Sequence, residues 1–281
     1  VSSYRFLVDE SSLFVGEIAS VKVAMALDRL SEQLQMCRAN GEAVGIISGF
    51  ETIECRPGLA LYDLLSSSDL PRDCRFRVRG LLDKCRRLDE DPGFAVDPAV
   101  TVDGVEVVSF ALAATLVFRR ESRAVAILAL VFHCGRGRVI IADASGQADC
   151  FIVDDVITRL AFYRSIFAVE NTGEDDFFAV AELAFPRLRF ATSLTFRRFD
   201  GTYEELRSRV VRHLGALNDG FRAALAQHGG LSDRVSSALG IDVSLEGSTR
   251  QSERLMRLRD VTYNGKVYRC EWHSKPESTD R

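Results

Sequence analysis

The chain has 281 residues, of which 47% are hydrophobic and 27% charged, with six prolines and a net charge of −4. That composition excludes disordered, collagen-like and fibrous classes, and the acidic balance excludes a histone-like polycation. The longest nearly uncharged apolar stretch, Ala124 to Cys134, is too short for a bilayer span of ~20 residues.

Tyr4 to Val8 reads as a short strand ending at Asp9. The apolar run before Asp9 and Glu10 is too brief for a secretory leader, so a cytoplasmic location is expected. Val23, Leu27, Leu30, Leu34 and Cys37 recur at helical spacing and predict a helix over 17–39, closed by Gly41. Ala43 to Ile47 reads as a second strand. Asp69 is expected to cap the next helix, with Pro71 in its first turn. Its apolar face is Cys74, Val78, Leu81 or Leu82, Cys85 and Leu88, and arginines with Lys84 fill the rest.

Residues 101–152 read as a β meander. Asp103-Gly104 makes the first turn, Phe110 to Phe118 and Ala124 to Phe132 are strands, and Gly135 to Arg138 is a hairpin turn before Arg138 to Ala142 and Cys150 to Val153. The segment Val125 to Phe132 lacks polar alternation, as expected of a central strand buried on both faces. Helices follow at 154–169 and 175–185, then a strand at 187–196. Thr202 to Glu205 forms a capping box before a long helix that ends at Gly229-Gly230. Shorter helices are expected at 232–239 and 250–258. The fold class is therefore α+β: a mixed or antiparallel sheet flanked by helices, with a C-terminal β-hairpin module. A core domain is expected over 1–199 and a helical region with the hairpin over 200–281.

Seven scattered cysteines without a C-x-x-C pair predict reduced, mostly buried thiols. The four histidines are equally dispersed, so neither a metal nor a cofactor is expected. No phosphate-binding loop, dinucleotide fingerprint or nucleophile elbow is present.

The basic residues are uneven. Between Asp69 and Arg87 there are seven against three acidic ones. Arg72, Arg75, Arg79 and Arg86 are candidate phosphate contacts on a helix, or part of a docking face for an acidic partner; a solvated helix face is the plainer reading. Arg281 is a further candidate nucleic-acid contact.

Asn264-Gly265 is a hairpin signal, and its two-residue loop sets Tyr263 opposite Lys266, Val261 opposite Tyr268 and Asp260 opposite Arg269. A regular continuation would carry Trp272 into a core. It would also align Arg269, Glu271, His273 and Lys275 on the other face, about 7 Å apart. Such a set could cleave RNA without metal: Glu271 and His273 as acid and base, Arg269 and Lys275 on the phosphate. The same carboxylate and lysine would also suit a metal-dependent nuclease. Charges pairing across an exposed strand face would make the same pattern with no chemistry.

The block Lys266 to Lys275 (KVYRCEWHSK), followed by Asp280-Arg281, resembles the C-terminal segment of poorly characterised bacterial proteins of mobile elements and anti-phage defence. Its β end is loosely similar to RelE-type ribonuclease toxins. The resemblance implies a defence or toxin-like protein acting on nucleic acid, with an endoribonuclease site at those four residues, and a further strand after Lys275. The alternative is a non-catalytic subunit of a multi-protein defence complex that binds protein or nucleic-acid partners. Two weaker likenesses remain. Phe6 to Asp9 before a helix resembles the first strand and metal-binding aspartate of PIN/NYN-like nucleases, with Glu51, Glu54 or Asp143 as partners. Leu231 to Arg259 is faintly similar to a helix-turn-helix turning at Gly240-Ile241 and bearing Arg250, Arg254 and Arg257.

Overall fold

Residues 4–274 are described by the computed structural model, apart from 93, 132–134, 192–193, 199–200, 246 and 248–250. Contacts divide the chain into two units, Val1–Asn171 and Thr172–Arg281, a division upstream of the boundary expected at 199/200.

In the first unit, β1 (Phe6–Val8) leads through a 3-10 turn to α1 (Ser20–Ala39), β2 (Val44–Ile46), a small pair β3 (Glu54–Arg56) and β4 (Leu59–Ala60), α2 (Leu61–Ser66), α3 (Arg72–Leu82) and β5 (Arg86–Arg87). Then come β6 (Ala99–Val102), β7 (Val105–Val108), α4 (Phe110–Arg120), β8 (Ala126–Leu128), β9 (Gly137–Asp143), β10 (Gly146–Val153) and α5 (Val156–Val169). The eight-stranded sheet has the order β5-β2-β1-β8-β10-β9-β6-β7. Its first five strands are mutually parallel, and β9, β6 and β7 add an antiparallel extension. The sheet is thus mixed, as expected.

Alternation along β1 sets the layers. Phe6 meets Phe162 of α5 edge-on, at 5.2 Å between ring centroids. Leu7 packs with Ala111, Leu112 and Leu116 of α4 in a cluster on the opposite face. β8 lies between β1 and β10 and is wholly buried, as its unbroken apolar run predicts. Gly45 of β2 is required by close approach: a Cβ there would lie 2.6 Å from Leu7 Cδ2.

Three local expectations are corrected here. Phe110 to Phe118 is helical rather than extended. Ser109 caps α4 through its hydroxyl, and Ala111 to Leu116 are buried consecutively, a pattern that resembles a doubly covered strand. No hairpin joins β8 to β9, because β8 pairs in parallel with β1 and β10; the hairpin of this region is β9–β10, with Asp143 opposite Gly146. Asp69 does not cap α3, whose N-cap is Pro71 with no side-chain bond; the Asp69 amide donates to Ser67 Oγ at 3.1 Å. The Asp103-Gly104 turn is present, with φ of +48° and +85°.

The second unit contains α6 (Glu174–Ala184), α7 (Tyr203–His228), α8 (Ser232–Leu239), β11 (Val243–Leu245), α9 (Glu253–Met256), β12 (Asp260–Tyr263), β13 (Lys266–Arg269) and β14 (Trp272–Ser274). The capping box of α7 forms as expected, with both Thr202 and Glu205 engaged. The described part of 187–196 is not a strand. Its aromatic rings join a cluster, with Phe196 4.9 Å from Phe177 and Phe190 5.9 Å from Phe178, and the amide of Arg187 donates to Asn218. The chain after Gly240 enters β11 rather than a second helix, so the helix-turn-helix expectation is corrected. Ser236 Oγ brackets Val243, donating to its carbonyl and accepting from its amide, and β11 pairs with β14.

Candidate functional site

The C-terminal hairpin has the register its two-residue loop dictates: Asp260–Arg269, Val261–Tyr268, Thr262–Val267 and Tyr263–Lys266. Asn264 and Gly265 both take positive φ, +49° and +72°, as a type I′ turn requires. The continuation is not regular. The strand stops at Arg269, Cys270 and Glu271 intervene, and Trp272 to Ser274 pair with β11 instead of β12. Trp272 is partly buried against Val235, Ile241 and Val243 and meets Phe221 edge-on at 5.6 Å. Burial of that ring supplies the reason for the change of partner.

The break separates the predicted acid–base set. Arg269 donates to both oxygens of Glu253, at 2.9 and 3.0 Å, and to Asp260 at 3.1 Å. The two carboxylates hold the Arg269 guanidinium firmly protonated, and Arg269 draws Glu253 below its ordinary range. Glu271 is exposed between the two strands. His273 Nε2 shares a 3.1 Å hydrogen bond with Ser244 Oγ across the β11–β14 pair. Lys275 and Arg281 lie outside the described residues. Arg269 and His273 therefore belong to different two-stranded sheets. Buried His213 of α7, which the sequence did not single out, bonds through Nδ1 to Ser274 Oγ and fastens β14. Only its place on the inward stripe of α7 could have marked it.

The basic helix gives a more coherent surface. Cys74, Val78, Leu81 and Leu82 face inward, whereas Arg72, Phe76 and Arg79 are exposed at i, i+4 and i+7. Phe76 is 62% exposed. The guanidinium of Arg72 lies over its ring at 5.6 Å, and that of Arg79 lies over Tyr62 of α2 at 4.3 Å. The hydroxyl of Tyr62 donates to Asp83. Arg75 turns back to the carbonyl of Ser66 at 2.7 Å, and Arg77 pairs with Asp28 of α1. Arg86 is exposed on the edge strand β5. Of the four helix and edge arginines predicted to contact nucleic acid, Arg72, Arg79 and Arg86 are thus outward, while Arg75 is half-buried.

A third cluster sits where β1 ends. Asp9 Oδ1 accepts from the amide of Ser11 at 3.0 Å, from Ser11 Oγ at 2.8 Å and from Ser109 Oγ at 2.8 Å. Glu10 accepts from the amides of Phe110 and Ala111, the N-terminus of α4. Of the partners expected for Asp9, Asp143 precedes β10 at the opposite end of the sheet, held by Arg120 at 2.5 and 3.0 Å, and Glu54 accepts from the amide of Gly58 at 2.7 Å. Glu51 lies in a 3-10 turn after β2. Among the described residues no group of three or more His, Cys, Asp or Glu is arranged to hold a metal ion. The described cysteines are free thiols; Cys270 is exposed, whereas burial pushes Cys85 and Cys150 up to about 12.

Burial and the adjacent Asp9 push Glu10 up to about 7 from its ordinary 4.5, outweighing the helix amides. An acid raised in this way favours the folded state fully below 4.5, and the contribution is lost as pH rises to about 7. Wild type should therefore lose roughly 2–3 kcal/mol between pH 5 and pH 8 relative to Glu10→Gln. Urea titrations of both proteins at the two pH values measure this, and parallel pH dependences would contradict it.

No family model matches the chain, and no curated protein and no solved structure matches it either. No helix among the described residues is long and apolar enough to cross a membrane.

Proposed function

We propose that this chain binds single-stranded nucleic acid through the outward face of α3, as a non-catalytic component of a bacterial defence or mobile-element system. The observation that carries this is two cation–ring pairs beside one another, Arg72 on the exposed ring of Phe76 and Arg79 on the half-buried ring of Tyr62. Guanidinium groups engage phosphates, and exposed rings stack on unpaired bases regardless of sequence. Asp73 and Asp83 lie along the same helix, so the contact is a stripe rather than a broad basic field. The resemblance of Lys266 to Lys275 to defence-associated proteins supports the biological setting.

An endoribonuclease centred on Glu271 and His273 needs Arg269 and Lys275 beside them on the phosphate. Arg269 is bound to two carboxylates and His273 is bonded within another strand pair, which favours a structural role for this end. The test is incubation of the protein with labelled single-stranded RNA, single-stranded DNA and duplex DNA, with and without Mg²⁺ or Mn²⁺. Wild type, Glu271→Ala and His273→Ala should all retard the single strands and leave them intact. Cleavage by wild type that both variants abolish would overturn the non-catalytic reading.

A further inference from the structure

The two edges of the large sheet are built differently. β5, at one end, is two residues long, Arg86 and Arg87. So short and cationic a strand is a poor template for a further one. β7, at the other end, has four residues, Val105-Glu106-Val107-Val108, and the backbone stays extended through Ser109. It carries no proline and no lysine, and it pairs with β6 in unbroken register, without a bulge. Glu106 is its single charge, while Val105 is 52% and Val108 70% exposed. An apolar, regular edge of this kind invites another strand.

The hairpin decides which backbone groups that edge offers. Asp103-Gly104 is a two-residue loop, so Val102 and Val105 close it as a hydrogen-bonded pair, and bonded pairs recur at every second residue. The amide of Ser109 donates to the carbonyl of Pro98 at 2.8 Å, in phase with that alternation. Val105, Val107 and Ser109 therefore turn their amides toward β6. The amides and carbonyls of Glu106 and Val108 point the other way, to the open edge.

A second copy of the same edge can meet those groups in one antiparallel register. Glu106 then stands opposite Val108 of the partner subunit and Val108 opposite the partner's Glu106, and each such pair exchanges two N–H···O bonds. The two copies of Val107 face each other on the two-fold axis. Val107 already packs against the core cluster that contains Val100 and Val102, so the axis pair continues that apolar layer across the junction. The neighbouring registers fail. A slide one way sets Glu106 against its own copy and Val108 against the turn residue Gly104, with like charges opposed. A slide the other way sets Glu106 against Phe110, which is already in α4.

We infer that β7 is a dimerisation strand, through which two copies of this chain join edge to edge, antiparallel about Val107, into one continuous sheet. A two-fold pairing of one strand with itself covers both exposed edges and closes the assembly at two. It does not depend on the nucleic-acid face of α3.

The test is sedimentation of the full chain over a range of concentrations. Wild type should be dimeric at roughly 100 µM and dissociate toward monomer near about 1 µM, as a junction of one strand pair implies. Val108 is exposed, so its replacement should leave the fold intact, and thermal melts verify this. Val108→Glu opposes two carboxylates at both ends of the junction and should weaken the dimer by about tenfold or more. Val108→Lys sets an ammonium group against each Glu106 and should leave the dimer at least as tight as in wild type. Association through an apolar patch without this register would suffer equally from either charge. Wild type that stays monomeric at 100 µM, an assembly that Val108→Glu leaves unchanged, or equal weakening by Val108→Glu and Val108→Lys would overturn the assignment.

Discussion

Replacing Arg159 by methionine is expected to destabilise the N-terminal unit by about 3–5 kcal/mol, the range for removing one partner of a buried charge pair. Arg159 is among the largest fully buried side chains, at 2% exposure. Its guanidinium donates to Gln33 Oε1 at 2.6 and 2.9 Å, to the Gln33 carbonyl at 3.2 Å and to Tyr163 OH at 3.2 Å. It lies over the ring of Phe6 at 4.6 Å and 3.7 Å from Glu42 Oε2, whose oxygen also accepts from Tyr163 OH at 2.8 Å. One side chain thus joins α5, α1, β1 and the turn before β2. Methionine would keep much of the volume but leave the Glu42 carboxylate without its cation. Burial already pushes Glu42 up from its ordinary range, and Arg159 opposes that. Adding Glu42→Gln to Arg159→Met should recover part of the loss, because the stranded charge is then gone. Urea denaturation of both variants measures this. A loss below about 1 kcal/mol for Arg159→Met would contradict the role assigned to the network.

The largest functional effect is expected from Arg72→Glu with Arg79→Glu. Both side chains are exposed and project away from the α1–α3 contact, so folding should be retained. Two cations become two anions on the stripe proposed to track phosphates. Affinity for single-stranded RNA should fall at least about tenfold near 0.1 M salt. Phe76→Ala should weaken binding more modestly, by the ~1–3 kcal/mol typical of one base–ring stack, with its salt dependence unchanged. Fluorescence anisotropy with a labelled oligonucleotide reads both effects. A pair of variants indistinguishable from wild type would remove α3 from the interface.

Much of the local structure was legible in the residues. The Asn264-Gly265 loop fixed a register, the Thr202–Glu205 pair fixed a helix start, and the unbroken apolar run around Ile127 marked a doubly covered strand. These features are set within a few residues of each other. The misread element, α4, shows the limit: six consecutive buried positions carry no period, so neighbours rather than sequence decide between helix and strand. The parallel pairing of β8 with both β1 and β10 is non-local and left no trace in spacing. The candidate site divided in the same way. That Arg72 and Arg79 share a helix face follows from helical period alone, whereas Phe76 between them was not singled out. The alignment of Arg269 with His273 assumed a regular strand, and the tertiary pull of Trp272 toward Phe221 and Val235 overrode it.

The most direct measurement is the affinity of labelled single-stranded RNA for wild type and for Arg72→Glu with Arg79→Glu across a salt series. For wild type, log K should fall linearly with log salt. The variant's slope should be shallower by about 1.4, as expected when two phosphate contacts are lost from a single strand at ~0.7 each. Wild-type binding that is absent at low salt, or slopes that coincide in the two proteins, would contradict the account.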